Sequence, residues 1–482
     1  MVLSLLLAIA AALRLAGLGD AALWYDESGS VWMATLPFDR MIAATGGDTH
    51  PPLYFAILWL WVRIGGTSEF WVRVPSLLFS LAIIPLAWRL AKRLNLPYSA
   101  TLAGAGLVTV STAQIHYAQE ARMYSLLAVM VLIGLFAALD QRWWLFGLAL
   151  AALCWTHNYG LLYGVVLNAV ALWQSRRWSW GLVLANAIAF VSFTPWLAVL
   201  AVQMREVAAG YWIQPVTPGS VLYSLYIVVW GYAMPDTMDA HAALLLYAAL
   251  AWTISRAVLQ RNSMALGLLG IALAPVALAG IVSVLWRPIL LPRGLFPSNV
   301  PLLLAMAWAF TDGVSVQRRL TVGIVIAPVL AVALLSHWLY NGQNKGQPQE
   351  IVGQIAWRHG DIVYHANEGS YNTLHFYSPE LWPQYMLPDS DWRNPGSYSP
   401  VTRAAMGFHL AALADLQWRR AWLVWGGGPT TSATEDEAIR HILHTYPHQL
   451  ISEKKDEMTH QAIYLLTNEP APVLCCGLGS RR

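Results

Sequence analysis

The sequence predicts an α-helical polytopic membrane protein with about eleven transmembrane helices, followed by a small extracytoplasmic α/β domain. Three observations predict it. The 482 residues are 57% hydrophobic, above the ~45–50% usual for soluble domains, and the mean hydropathy is +0.48. Apolar runs of roughly 17–22 residues recur, the length at which a helix crosses a bilayer. After Tyr340 the composition turns polar, and short strand-like and helix-like stretches alternate.

The expected spans are residues 2–18, 74–91, 98–115, 123–139, 143–157, 159–174, 180–200, 241–259, 263–285, 296–311 and 320–339. With the N-terminus inside, every second span ends in an inner turn. Those turns carry Arg89, Lys92 and Arg93; Arg142; Arg176 and Arg177; Arg256 and Arg261; and Arg318 and Arg319. All are basic, as cytoplasmic turns should be. The first segment, Met1 to Leu18, lacks a basic n-region and a small-residue cleavage site, so it reads as a retained helix. PPLYFAILWLWVRI (51–64) is short for a span and is followed by Gly65, Gly66, Glu69 and Arg73. It is expected to lie on the outer surface with Trp59 and Trp61 dipping into lipid. Residues 219–234 are a second candidate of that kind.

Two domains are expected, 1–340 and 341–482, with 19–73 forming the first external loop. NGQNKGQPQE (341–350) reads as a linker. Beyond it, 349–358 and 436–443 read as helices, and 361–366, 420–427 and 461–467 as strands. The tail from about 469 reads as disordered. The net charge of +3 is too small and scattered for nucleic-acid binding. Cys154 lies in a span and Cys475 and Cys476 in the tail, so no disulfide framework or zinc spacing exists. GxGxxG, P-loop, HExxH and CxxC motifs are absent from the sequence.

This arrangement gathers the unusual polar residues on the outer face. With 11% charged residues, an acidic pair beside a span is costly unless it has a task. Asp26 and Glu27, in WYDES, form such a pair. One can serve as a general base, or the pair can grip a cation or a sugar hydroxyl; mutual repulsion favours proton exchange near neutral pH. The alternative is that Asp26 caps the helix containing Val31 to Leu36. Asp48 and His50 precede Pro51-Pro52, which can start a helix; they suit phosphate or hydroxyl recognition, or a capped turn. In HYAQEARMYS a helix would set His116, Glu120 and Tyr124 on one face at four-residue spacing. Glu120 would then be a third carboxylate of the site, with Arg122 and Tyr124 touching substrate, or Glu120 and Arg122 would anchor the helix end. Arg293, and less so Arg287, can clamp a phosphate bidentately, or snorkel to headgroups. His157 with Asn158, and Trp212 with Gln214, are weaker candidates for substrate contacts.

WYDES, DTHPPLYF, SEFWVRVPS, YAQEARMYSLL, TPWL (194–197) and RPILLPRGLFPSNVPLLL occur in that order over residues 1–340. Together they resemble the polytopic GT-C glycosyltransferases that use polyprenyl-phosphate sugars. The nearest branch is similar to family 39, the protein O-mannosyltransferases and lipid A aminoarabinose transferases. The resemblance implies Asp26 as catalytic base with Glu27 in support, Glu120 in the second outer loop of the site, and Arg293 at the lipid phosphate. Three departures stand out. Tyr54-Phe55 occupy the region where protein mannosyltransferases carry a lysine. His50 stands where aminoarabinose transferases have a lysine before Pro-Pro. The usual Arg-Tyr of the late motif is Arg293-Gly294. The reaction class therefore carries over, and neither substrate does.

The resemblance implies an inverting sugar transfer at the extracytoplasmic face of a bacterial inner or plasma membrane. The donor is a polyprenyl-phosphate sugar; the acceptor is a lipid, glycan or protein hydroxyl. Asp26 would take the acceptor proton, and Arg293, with Arg122 or His50, would neutralise the leaving phosphate. A divalent cation held by Asp26, Glu27 and Glu120 is an alternative carrier of part of that work; no metal is assigned. The rival reading is a transporter or flippase of lipid-linked sugars. It predicts ionisable residues at the bilayer midplane and paired broken helices, whereas the expected spans are almost free of acids.

Overall fold

The computed structural model describes residues 1–177, 179–209, 213–344, 348–378, 383–388, 398–427, 433–455 and 460–468. Trp212, the tail from about 469, and Cys475 and Cys476 lie outside the described residues. Two compact units emerge. One comprises Met1–Ala22, Met33–Arg205 and Ile213–Gly346; the other comprises Leu23–Trp32, Glu206–Trp212 and Gln347–Arg482. A single cut near residue 340 thus leaves the acidic segment on the wrong side, because its packing partners come from the far end of the chain.

The helical unit is built from α1 (Val2–Leu15), the end of α2 (Tyr25–Thr35), α3 (Phe38–Gly47), α4 (Leu53–Gly65) and α5 (Glu69–Arg93). Then follow α6 (Tyr98–Val110), α7 (Thr112–Ala118), α8 (Tyr124–Leu139), α9 (Trp143–Thr156), α10 (Tyr159–Ser175), α11 (Trp180–Ala209), α12 (Pro218–Trp230) and α13 (Asp236–Leu259). It closes with α14 (Ser263–Leu285), a 3-10 turn (Pro292–Ser298), α15 (Asn299–Thr311) and α16 (Val316–Asn344). A helix stands at every one of the eleven expected spans. Six of the described segments are long and apolar enough to cross a membrane: Glu69–Arg93, Trp180–Arg205, Asp236–Leu259, Ser263–Leu285, Pro292–Thr311 and Val316–Leu339. The chain is an integral membrane protein.

Local chemistry sets the boundaries. Ser68 caps α5 by accepting from the Trp71 N–H; Glu69 sits in its first turn and Lys92 and Arg93 in its last, matching the helix dipole. The expected single span 98–115 is broken at Ser111, whose hydroxyl accepts from the Gln114 N–H and starts α7 as a new helix. Arg14, buried in the first span, ties three helices together. Its guanidinium donates to Ser80 Oγ at 2.9 Å and to the Thr109 carbonyl at 2.9 Å, satisfying the otherwise orphaned end of α6. Arg73 does the same for the loop after α1, donating to the carbonyls of Leu18, Ala21 and Ala22.

The two helices expected at the interface are fastened to the rest of the protein. In α4, the Trp59 indole donates to the Leu36 carbonyl. Trp61 stacks on Trp71 with ring centroids 4.7 Å apart and donates to its carbonyl. Both indole N–H groups therefore pin α4 to its neighbours. In residues 219–234, Ser224 to Trp230 of α12 are buried while Leu222, Tyr223 and Tyr232 are exposed, and the helix packs on α7 and the 3-10 turn.

The second unit contains α17 (Pro348–Gln354), β1 (Ile362–His365), α18 (Glu368–Tyr377), β2 (Gln384–Met386), α19 (Pro400–Met406), β3 (Arg420–Gly427), α20 (Ala433–Thr445), β4 (His448–Lys455) and β5 (His460–Thr467). The sheet order is β2-β1-β3-β5-β4. β1 pairs in parallel with β2 and β3, and β5 runs antiparallel to β3 and β4. Both faces of the central strands are buried. Ile362, Tyr364, Leu423 and Trp425 pack with Ile439 and Ile442 of α20 on one side. Val363, Trp422 and Val424 pack with Ile351 and Leu374 on the other. At ~1.5–3 kcal/mol for each large side chain buried, this explains why RAWLVW reads as a continuous apolar run.

Candidate active site

The acidic segment starts a helix. Tyr25 is the first residue of α2, so Asp26 and Glu27 lie in its first turn, too far in for the alternative role of Asp26 as a cap. Both carboxylates sit at the positive end of a helix dipole. Glu27 is buried and Asp26 half-buried. Their neighbour Tyr25 donates to Glu368 Oε2 at 3.0 Å. The same oxygen accepts from the Tyr398 N–H at 2.8 Å, and Arg403 Nε donates to Glu368 Oε1. Burial, followed by the Glu368 charge, pushes the Tyr25 phenol well above its ordinary range and keeps it a donor. Burial also raises the Glu368 carboxyl, against the pull of Arg403 and the two donors. Farther along, Trp32 stacks on His375 with centroids 3.9 Å apart. Gly29 leaves room for Tyr398: a Cβ there would meet its hydroxyl at 1.9 Å.

The remaining expected residues fall in the helical unit. Asp48 ends α3 in an extended conformation. His50 lies buried in the turn before α4, where Pro52 takes the cap position. The helix expected through His116, Glu120 and Tyr124 does not continue: α7 ends at Ala118, and Tyr124 opens α8. The turn between them still joins His116 Nε2 to Glu120 Oε1 at 3.2 Å, and Tyr117 meets Tyr124 with centroids 5.0 Å apart. Arg122 is buried, and its carbonyl accepts from Ser76 Oγ, which in turn pairs with the Tyr54 hydroxyl at 3.0 Å.

His50 and His157 bring two distant turns together, ring centroids 4.9 Å apart. His157 Nδ1 accepts from the Tyr159 N–H at 3.0 Å, so the neutral ring carries its proton on Nε2. His157 Nε2, His50 Nδ1 and the Tyr117 hydroxyl are buried without a hydrogen-bond partner among the described residues. Burial lowers the His157 pKa to about 3, with Arg293 and Arg122 adding to the fall. His50 is lowered well below its ordinary value by burial, then by His157, Arg122 and Arg293. Two neutral imidazoles thus share a field set by two guanidiniums.

Arg293 sits half-buried on the 3-10 turn before α15. That turn is fastened to α10: the Tyr159 hydroxyl accepts from the Leu291 N–H and donates to the Ile289 carbonyl, and Tyr163 donates to the Leu295 carbonyl. The glycine after Arg293 has a steric reason. A Cβ on Gly294 would lie 2.7 Å from the Tyr159 ring, so the tyrosine usual at that place has no room. Arg287 donates to the Met204 carbonyl, and Asn158 to the Thr49 carbonyl; both are structural contacts. Sequence reasoning passed over Tyr117, an aromatic one residue after His116 and three before Glu120. It also missed Glu368 and Arg403, which no local pattern marks.

Among the described residues, no three His, Cys, Asp or Glu side chains are grouped to hold a metal ion.

Residues 49–199 match the family profile of dolichyl-phosphate-mannose-protein mannosyltransferases. The stretch includes His50, Glu120, Arg122 and Tyr124 and ends before Arg293. The fold is similar to that of ArnT from Cupriavidus metallidurans in the apo state, with TM-score 0.59, 17% identity, and coverage of 95% of this chain and 97% of that one. It is equally similar to the same protein bound to undecaprenyl phosphate, with TM-score 0.57, 16% identity and the same coverage. No curated protein matches the chain in sequence. The protein has a GT-C glycosyltransferase fold with a small C-terminal sheet domain, as the resemblance read from the motifs implies.

Proposed function

We propose that this protein is a membrane glycosyltransferase that moves a sugar from a polyprenyl-phosphate donor to an acceptor hydroxyl at the extracytoplasmic face, with inversion. The observation that carries the reading is the cationic cluster of the helical unit. Burial lowers both His50 and His157, and Arg122 and Arg293 add to the fall, so the cluster keeps its positive charge on guanidiniums beside neutral imidazoles. Such a set suits a phosphate, which guanidinium binds through paired, charge-assisted hydrogen bonds. The family matched by residues 49–199 is named for a lipid-phosphate sugar donor, and a similar fold holds undecaprenyl phosphate.

The acceptor oxygen attacks C1 of the sugar as the bond from C1 to the phosphate oxygen breaks. The electron pair leaves with the phosphate, and the acceptor proton passes to Asp26, with Glu27 and Glu120 supporting. Arg293, with Arg122 and His50, neutralises the departing phosphate; Asp48 and Tyr124 contact the sugar or acceptor. The acceptor is a lipid, glycan or protein hydroxyl, and the membrane is a bacterial inner or plasma membrane.

The test uses purified full-length protein and the Asp26→Asn variant. Each is given radiolabelled undecaprenyl-phosphate mannose, glucose or aminoarabinose with membrane extract. Transfer by the wild type and at least 100-fold less by the variant is expected. Full transfer by the variant would remove Asp26 from the role of base, and lipid movement without transfer by the wild type would establish a flippase. Labelling of a Glu69→Cys variant from outside intact cells checks the orientation; protection there would invert it.

A further inference from the structure

We propose that Glu368 and Arg403 of the C-terminal α/β unit are positioning residues for the acidic pair, acting through the Tyr25 hydroxyl to fix the helical turn that carries Asp26 and Glu27. The inference rests on the reading of Asp26 as the base.

The geometry is specific. Glu368 receives three donors on its two oxygens: Tyr25 Oη at 3.0 Å, the Tyr398 N–H at 2.8 Å, and Arg403 Nε. The Glu368 and Arg403 side chains are 5% and 4% exposed. A buried ion pair of this kind is a poor source of stability, because desolvation offsets the attraction. Fixing a register is its best-attested use. What it fixes here is the residue immediately before Asp26. The rest of the segment is held from the same direction: the Leu23 N–H donates to Tyr377 Oη at 2.7 Å, Tyr25 stacks on Tyr398 at 5.6 Å, and Trp32 stacks on His375 and Phe408. Every one of these partners comes from residues 368–408. A proton-transfer group has to be held within about 0.5 Å of its working position, and a flexible loop after a first span cannot do that unaided.

Tyr25→Phe deletes one hydroxyl and leaves the ion pair intact, so it folds even where Glu368→Ala, which removes the acceptor and strands Arg403, does not. Both variants and their combination are made in the full chain. Amide hydrogen exchange over residues 25–30 is expected to speed up about tenfold in each variant. Transfer from the undecaprenyl-phosphate sugar panel is expected to fall about tenfold in kcat with KM within about twofold. The double variant should be no worse than Glu368→Ala alone, because the hydrogen bond between Tyr25 and Glu368 is lost in all three. Unchanged exchange in Tyr25→Phe, or losses that multiply in the double variant, would overturn the proposal. The two readings separate cleanly: Asp26→Asn transferring at the wild-type rate removes the base assignment, while faster exchange in Tyr25→Phe still upholds the clamp.

Discussion

Gly29→Ala probes how tightly the acidic helix is held. An added Cβ would lie 1.9 Å from the Tyr398 hydroxyl and 3.2 Å from its ring carbon Cζ, the former roughly 1.5 Å inside ordinary contact. Tyr398 has little freedom to retreat. Its ring stacks on Tyr25 at 5.6 Å, its N–H is bonded to Glu368, and Asn372 donates to its hydroxyl at 3.3 Å. Overpacking of this kind costs about 1–3 kcal/mol. Replacing glycine inside a helix returns about 1 kcal/mol, so the clash wins by about 1 kcal/mol at central values. In a unit of this size that corresponds to a fall of about 2–4 °C in unfolding temperature, read by tryptophan fluorescence in detergent micelles. Gly29→Ala combined with Tyr398→Phe removes the clashing oxygen. The sign should then reverse, with the double variant at or above Tyr398→Phe alone. Gly29→Ala unfolding at or above the wild-type temperature, with Tyr398 in place, would refute the packing argument.

Three further outcomes are expected. Arg293→Ala should raise KM for the undecaprenyl-phosphate donor about 10- to 100-fold, the worth of one charge-assisted contact at ~1.5–3 kcal/mol, with Arg293→Lys in between; an unchanged donor KM would exclude Arg293 from the phosphate. His157 is held near 3 in the fold against an ordinary 6.5, so below 6.5 the unfolded chain takes up the proton first. Stability complete above that pH is then lost as pH falls toward 3, by about 1.4 kcal/mol per unit; denaturation midpoints from pH 7 to 4 should show a shallower slope in His157→Gln, and parallel curves would contradict the assignment. Arg14→Ala leaves the carbonyls at the end of α6 without donors and should cost about 2–6 kcal/mol at about 1–3 for each stranded group, visible as a lowered unfolding temperature.

The spans were legible because twenty or so apolar residues have few other fates. The central strands were legible for a similar reason: RAWLVWGG and QAIYLLT are buried on both faces and read as apolar runs. β4 was not, since HQLISEKK lies at the sheet edge and carries the charges an edge tolerates. The three residues of β2 are too few to show a pattern. Among the candidate residues, types announced themselves where charge beside a membrane is costly: Asp26, Glu27, Glu120, Arg122 and Arg293 all stand out from an apolar background. Their partners did not. His50 and His157 meet across more than a hundred residues, and a lone histidine in a turn carries no sign of its neighbour. The expected helix through Glu120 failed because local spacing says nothing of a turn dictated by packing between α7 and α8. Arg14 was hidden for the opposite reason: one arginine within an apolar run looks like noise until the carbonyls it serves are seen.

The pairing of Tyr25 with Glu368 has a consequence for biogenesis. The two residues are separated by 343 positions. At roughly 5–20 residues per second, synthesis of the intervening chain takes on the order of 20–70 s. During that time the first span has been made while the turn bearing the two carboxylates has no native partner. The acidic segment is therefore among the earliest parts of the protein to emerge and among the last to reach its final conformation. A ribosome that stops after the last span would yield a membrane-inserted chain whose acidic turn was never completed.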